Sequence, residues 1–582
     1  MISLDQGLWK NYEIVKKDVN LKTLERTLDI ERFSATEQLE IVGDCFHQMI
    51  FEVIEQKNQF GPKILDHHVD AIQNSNVSRL KFDNCDLSLV NPSKISDLFN
   101  RLKSISLRES KLTEAQLKET IYNMAYSTDL KELDLDTVFI QEQDDDQELP
   151  ITDPETIGWA FNKLETLKLR SVFKQTTFGD NFFDTPPQNF LMLFRIMFQK
   201  TNLKSIDVDS DFLNHIPMLL LCSSLNNLQS VNLTGSSITP TQCKTLITQM
   251  AQETKIRDLY IPMVDLSSIE AEILTKAFNK LTKLDILGAK IRRYQMTAWF
   301  KGIKQGTNLE FLNMNRVMVD LLSNNILISG IILLKTVKVF KLTRDQMNLL
   351  MIKLSDIDNP VLENLTIYEA ETEHIAQHVL AKAINKLKSI EITRSIYCMD
   401  PIPRKPTNFI QTFTIQAKSM LVDISFESVT LSTVPPKVLA EAVARLRKVR
   451  LVRAKLCNDQ LIEVLNIIPN SSSLEHLDLS GNYLSCLPSC QLLAKPIPKL
   501  TRVVLDDTRL AKRQITAIFS EIISKPSGSN LEYLSLIQND IENVSVDLIQ
   551  EVKKTVKNIL IDEHHPNTDE YFSGESYSSD DG

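Results

Sequence analysis

One phrase, LxxLxL followed by four variable residues and another aliphatic, returns again and again along this chain, and it constrains the fold more than any other feature. The clearest copy is LEHLDLSGNYLS at 474–485; related copies begin at 102, 130, 164, 228, 281, 309, 362, 446, 500 and 531. Weaker ones begin at 77, 203, 256, 337, 387, 421 and 556, which makes eighteen. The starts are mostly 25 or 28 residues apart and often alternate, as in 203, 228, 256, 281, 309, so the full period is a double repeat of 53. A period of this length means one small supersecondary unit per repeat, which cannot bury its apolar side alone and must stack on its neighbours.

Within a copy the pattern changes from strand to helix. The phrase itself alternates with period two, whereas after 116 the apolar residues Leu117, Ile121 and Met124 are spaced for one helical face. The same holds for Cys243, Leu246, Ile247 and Met250, and for Ile515, Ile518, Phe519, Ile522 and Ile523. Thr113-Glu-Ala-Gln116, Thr239-Pro-Thr-Gln242 and Thr343-Arg-Asp-Gln346 place a hydroxyl at N-cap and Gln at N3, so helices are predicted to start there.

On these residues the chain resembles a leucine-rich repeat protein, nearest to the ribonuclease-inhibitor-like class. The resemblance runs from about 77 to 562 and implies an α/β horseshoe solenoid with parallel strands on the concave face and helices on the convex face. The Asn that usually closes the strand turn stands at Asn482 and Asn539 and is less evident elsewhere, so other turns need other backbone partners. Residues 1–76 lack the phrase and read as a helical N-terminal cap, with Ser34 and Glu37 as a capping box. Residues 563–582 hold six acids and no Lys or Arg, the composition of a disordered tail, and their serines resemble acidic-directed phosphorylation sites.

Strand alternation turns the third, fifth and seventh residues of each copy away from the core. Glu132, Asp134, Asp136, Asp207 and Asp209 then form an acidic region with Lys168 and Arg170 between them. Lys448, Arg450 and Arg502 form a basic patch. Tyr260, Leu287, Phe311, Val339 and Tyr368 supply an apolar centre on five successive repeats, the arrangement expected of a protein-binding hot spot. Inserts at 141–155, 171–189 and 393–409 are expected on loops.

Catalytic and cofactor signatures are missing from the sequence: no P-loop, strand-borne GxGxxG, GxSxG or HExxH occurs. His374 and His378 would share a helical face, but Ile375 follows where a zinc protease carries Glu. Cys486 and Cys490 read as small apolar residues in a turn rather than half a metal site. The eight cysteines are scattered, which favours a reducing compartment, cytoplasmic with the nucleus open as well. A net charge of -10 argues against a general nucleic-acid binder. The aliphatic stretch 326–334 is about half a membrane span. The expectation is therefore a non-catalytic scaffold, without cofactor or metal, that binds a protein ligand on the concave face. The alternative is a substrate receptor of an elongin/cullin ubiquitin ligase, since Ile41, Cys45 and Met49 partly match the elongin-binding helix of some leucine-rich repeat receptors.

Overall fold

The computed structural model describes the strands Asn11–Val15 and Gln38–Val42 and most of the chain from 78 to 561, less chiefly 142–153, 175–186, 370–374 and 394–420. It divides into two compact units, Met1–Leu350 with Ile357–Tyr368, and Met351–Asp356 with Glu369–Gly582. The first unit holds strands β1 Asn11–Val15, β2 Gln38–Val42, β3 Arg79–Asp83, β4 Ser104–Arg108, β5 Lys111–Thr113, β6 Glu132–Asp136, β7 Phe139–Gln141 and β8 Thr166–Arg170. It continues with β9 Phe173–Lys174, β10 Ser205–Val208, β11 Ser230–Asn232, β12 Asp258–Tyr260, β13 Lys283–Asp285, β14 Phe311–Met314, β15 Thr336–Phe340 and β16 Asn364–Tyr368. The second unit holds β17 Ser389–Thr393, β18 Asp423–Glu427, β19 Lys448–Val452, β20 His476–Asp478, β21 Arg502–Val504, β22 Tyr533–Ser535 and β23 Asn558–Leu560.

All pairing is parallel, and all of it is one repeat against the next. In the first unit the ladder runs β1, β2, β3, β4, β6, β8, then β10 through β16. In the second it runs β17 through β23. The short β5, β7 and β9 form a second ladder of their own. Each of the eighteen copies carries one strand of the long ladders, and those beginning at 102, 130 and 164 carry β5, β7 and β9 as well. In the copies from 102 to 531 the first, fourth and sixth residues are buried, as with Leu130, Leu133 and Leu135, or Leu474, Leu477 and Leu479, whereas in the last copy Ile559 and Ile561 are half-buried.

Helix length follows repeat length. Copies 25 residues long carry helices of 8 to 10 residues, such as Met218–Asn226, Ala271–Phe278, Asn324–Ile331 and Pro436–Arg445. Copies 28 long carry Glu114–Tyr126, Pro240–Gln252, Arg293–Gln305 and Arg344–Asp356, of 13 residues each, and in the copy at 446 the 10-residue helix Asn458–Ile467 is extended by a 3-10 turn, Ile468–Asn470, of 3 residues. The strand and its turn are held constant by stacking, so added length goes into the helix.

The 25- and 28-residue repeats are joined by a glutamine. Gln242 Oε1 accepts from the Thr239 N–H at 3.0 Å, and its Nε2 donates back to the carbonyls of Leu213 (3.0 Å) and Ile216 (3.3 Å) in the preceding repeat. Gln116 does the same to Leu87 and Val90, Gln346 to Val319 and Leu322, and Gln460 to Leu431 and Val434. Gln295 bonds Leu266 and Ile269, and Gln514, in the 31-residue copy that begins at 500, bonds Leu484 in the 26-residue copy before it. All six side chains are buried. Only half of them follow a threonine; Arg292, Cys457 and Ala511 stand at the equivalent place and offer only their backbone N–H. The constant element is therefore the glutamine, and the threonine is optional.

The strand turn is closed in two ways. Asn482 Nδ2 donates to Leu451 O and Leu479 O, and Asn539 Nδ2 to Leu505 O and Leu536 O. The eighth residue of the copy also turns left-handed, both in these two turns, with φ of 69° at Gly481 and 59° at Gln538, and elsewhere, with 60° at Met263, 59° at Arg316, 50° at Lys341 and 49° at Arg453. Its N–H then continues the ladder, Met263 to Leu287 O at 2.7 Å and Arg453 to Ser480 O at 2.8 Å. Glycine takes this position at Gly288 and Gly481, and there the side chain of the preceding repeat's residue lies where a Cβ would be: Met263 over Gly288 and Arg453 over Gly481.

Two readings change. The copy assigned to 337 begins at Leu334, because Leu334, Val337 and Val339 are all fully buried; this restores the 25- and 28-residue alternation. The segment around Ser34 does not give a helix at 38–42, because Gln38–Val42 alternates with period two and pairs in parallel with β3. Ile41 is thus a strand residue, whereas Cys45 and Met49 lie outside the described residues, as do Ser34, Glu37 and the remainder of the expected cap apart from β1.

Candidate functional site

In each unit one face of the sheet is packed under apolar side chains and the other carries the third, fifth and seventh residues of the copies, most of those described being half-buried or exposed, with Asn313, Thr366, Val452, Asp478 and Ser535 buried among them. On the first unit the charges expected there are present but largely paired across strands. Lys168 Nζ lies 2.8 Å from Asp134 Oδ2, and Arg170 Nε lies 2.6 Å from Asp207 Oδ1. Asn232 Nδ2 donates to Asp207 Oδ2 at 3.2 Å, and Arg79 stands 3.9 Å from Glu132. Burial pushes the Asp207 carboxyl up from its ordinary value, against the pull of Arg170. Asp136 is half-buried at the end of β6, and Asp209 lies outside the described residues. The region is a ladder of ion pairs rather than an acidic patch.

The apolar centre is rearranged. Tyr260, Leu287, Phe311 and Tyr368 are half-buried on the outward face, but Val339 is core. The residue beside it, Phe340, takes the outward place and is the direct register partner of Tyr368. Phe311 stands between Lys283 and Thr336, and Tyr260 between Asn232 and Asp285, so the aromatics are set among polar groups and do not form one stripe. Burial raises the Tyr260 phenol, with Lys283 opposing and Asp258, Asp285 and Asp207 adding to the rise. Lys283 is itself bonded to Asp258 at 2.9 Å.

The second unit carries a groove of about 480 Å³ on the outward face of β19 to β22, lined by Lys448, Arg450, His476, Asp478, Arg502 and Tyr533 among others. Register puts Lys448, His476, Arg502 and Tyr533 in one row, each opposite the next, so neighbours are about 4.8 Å apart. The three basic residues expected as a patch are thus brought together, and His476 and Tyr533 join them. Arg502 stacks over Tyr533, 3.5 Å from the ring centroid. Arg450 is held by Asp478 at 3.0 Å and faces Glu391 at 3.8 Å. Asp506 accepts from Ser535 Oγ at 2.6 Å and from the Ile537 N–H at 2.9 Å, which fixes the groove's far wall. Burial lowers the His476 imidazole from its ordinary value, and Lys448, Arg502 and Arg447 add to this against Glu475.

Other candidates come apart. The helix after 374 begins only at Gln377, so His378 is in its first turn and His374 lies outside it and outside the described residues. Cys486 and Cys490 flank a turn and short helix at the protein surface. Among the described residues no helix is long and apolar enough to cross a membrane. The inserts 141–155, 171–189 and 393–409 fall mostly outside the described residues.

Eighteen copies of LxxLxL, each a parallel strand, nearly all with their leucine positions buried and most followed by a helix, decide the class. The chain folds as a leucine-rich repeat protein. No protein-family model and no curated protein matches it. Among solved structures it is similar to the leucine-rich repeat-containing protein LegL7 from Legionella pneumophila, 13% identical, over 51% of this chain and 98% of that one, with a TM-score of 0.34.

Proposed function

We propose that this leucine-rich repeat chain is a non-catalytic scaffold that binds a protein partner on the outward face of β12 to β16. The observation that supports it most is the set of half-buried aromatics Tyr260, Phe311, Phe340 and Tyr368 on a face that the helices leave uncovered. Rigid rings among hydrogen-bonding and charged neighbours are the composition of interface hot spots, where truncation costs about 2 kcal/mol or more at the few residues that dominate. Of the strands that hold them, β12, β14 and β15 are paired on both sides and β16 is paired with β15, so little ordering entropy is lost on association.

The test is purification of the protein from its own cells as wild type, as the Phe311→Ala/Phe340→Ala/Tyr368→Ala variant, and as Tyr294→Ala, a control on a helix where the ring is 55% exposed. A stoichiometric partner lost from the triple variant and retained by the control supports the reading. A partner held equally by all three, with the triple variant still folded, refutes it.

A further inference from the structure

The basic row on the second unit calls for an anionic occupant, and the chain supplies one. Lys448 and Arg502 have no carboxylate within 4.0 Å among the described residues, whereas Arg450 beside them is already paired. Two of the three cations in the groove, the half-buried Lys448 and the exposed Arg502, are therefore unneutralised, and positive charges set side by side without a counter-charge attract one. The described part of the unit closes with β23, two strands beyond β21 and four beyond β19. The sequence that follows, 563–582, is EHHPNTDEYFSGESYSSDDG, with six carboxylates and no Lys or Arg.

We infer that the acidic stretch 563–582 docks in cis along the Lys448–His476–Arg502 row and covers it. The reach is adequate. Four strand spacings are about 19 Å, and eight extended residues span up to about 28 Å, so Asp569 and Glu570 reach any member of the row from the end of β23. The chemistry is matched as well: the Arg502 guanidinium, stacked flat on Tyr533, keeps its N–H edge free for a carboxylate, and Lys448 offers a mobile ammonium. The tyrosines and phenylalanine among the acids, Tyr571, Phe572 and Tyr577, can lie beside Val504 and Tyr533 in the same groove. In this arrangement the stretch masks the groove, and any acidic partner must displace it. This inference is independent of the aromatic face on the first unit.

Zero-length carbodiimide cross-linking of the intact chain tests it, using an equal mixture of isotopically light and heavy protein. The expected product joins Lys448 to an acid of 563–582, with both peptides carrying the same label. Its yield falls at least tenfold in Arg502→Glu and in 1 M NaCl; the salt arm needs no variant. Three results overturn the inference: a digest that shows the Lys448 peptide without that link, a link carrying mixed labels, which would mean a second copy supplies the acids, or a yield indifferent to both salt and Arg502→Glu.

Discussion

Replacing Gln460 by Met keeps nearly all of its volume and removes its hydrogen bonds. In the native protein Gln460 is fully buried; its Oε1 accepts from the Cys457 N–H at 2.9 Å, and its Nε2 donates to Leu431 O at 2.7 Å and Val434 O at 2.6 Å. The substitution leaves one donor and two acceptors without that partner inside the array. Each unsatisfied buried group costs about 1–3 kcal/mol, so three would cost about 3–9 kcal/mol; since carbonyls retain some other bonding, about 3–5 kcal/mol is expected. Packing changes little, because an unbranched side chain of similar size usually costs under about 1.5 kcal/mol. The assay is urea unfolding by circular dichroism, combined with amide exchange by mass spectrometry over 431–460. The loss should appear as a lower midpoint and faster exchange in the turn at 431–434, because that turn belongs to the repeat that the glutamine grips. A variant within 1 kcal/mol of wild type, with exchange there unchanged, would refute the idea that hydrogen bonding, rather than shape, makes the glutamine necessary.

Two further outcomes are expected. In a variant with the six acids of 563–582 neutralised, His476 should titrate below the ordinary histidine value, through burial first and then Lys448, Arg502 and Arg447. The unfolded chain then takes up a proton that the folded one resists, so stability falls as pH drops through about 6.5 and stops falling below the folded value; in the same background His476→Gln should remove this pH-dependent loss, and a pH-independent difference between the two would contradict it. Cys222 and Cys243 are buried, with burial pushing both thiols up to about 12, whereas Cys457 and Cys486 are exposed. A maleimide at neutral pH should therefore label Cys457 and Cys486 within minutes and spare the other two until the protein unfolds, as read by peptide mass spectrometry; early labelling of Cys243 would show that its repeat opens locally.

The sequence makes the ladder legible because leucine positions repeat in both identity and spacing, and helix length follows from the spacing. It misleads at 337, where VKVFKL satisfies the phrase as well as the true LKTVKV does. Only the neighbouring strands decide the phase, by pairing Val337 with Leu312 and Leu365, and this moves Val339 inside and Phe340 outside. The left-handed eighth residue leaves no mark, since Met263, Arg316, Lys341 and Arg453 stand where glycine would announce it. The groove was half visible: Lys448, Arg450 and Arg502 follow from alternation alone, but His476 and Tyr533 belong to it only through register across strands. The N-terminal strand Gln38–Val42 was obscured by Ser34 and Glu37, whose helix-start spacing outweighed the short alternation of QLEIV.

The glutamine link also limits how such a chain changes in length over time. Because each 28-residue repeat holds the turn of the 25-residue repeat before it, the smallest segment that can be copied or lost without stranding a buried amide is the pair. Unequal exchange between gene copies that gained or lost 53 residues would leave a working joint, whereas an event of 25 would set a glutamine against a neighbour whose turn it does not fit. Chain lengths among descendants of this sequence should therefore differ in steps of about two repeats, and an odd-numbered change should be found only where the glutamine has been replaced as well.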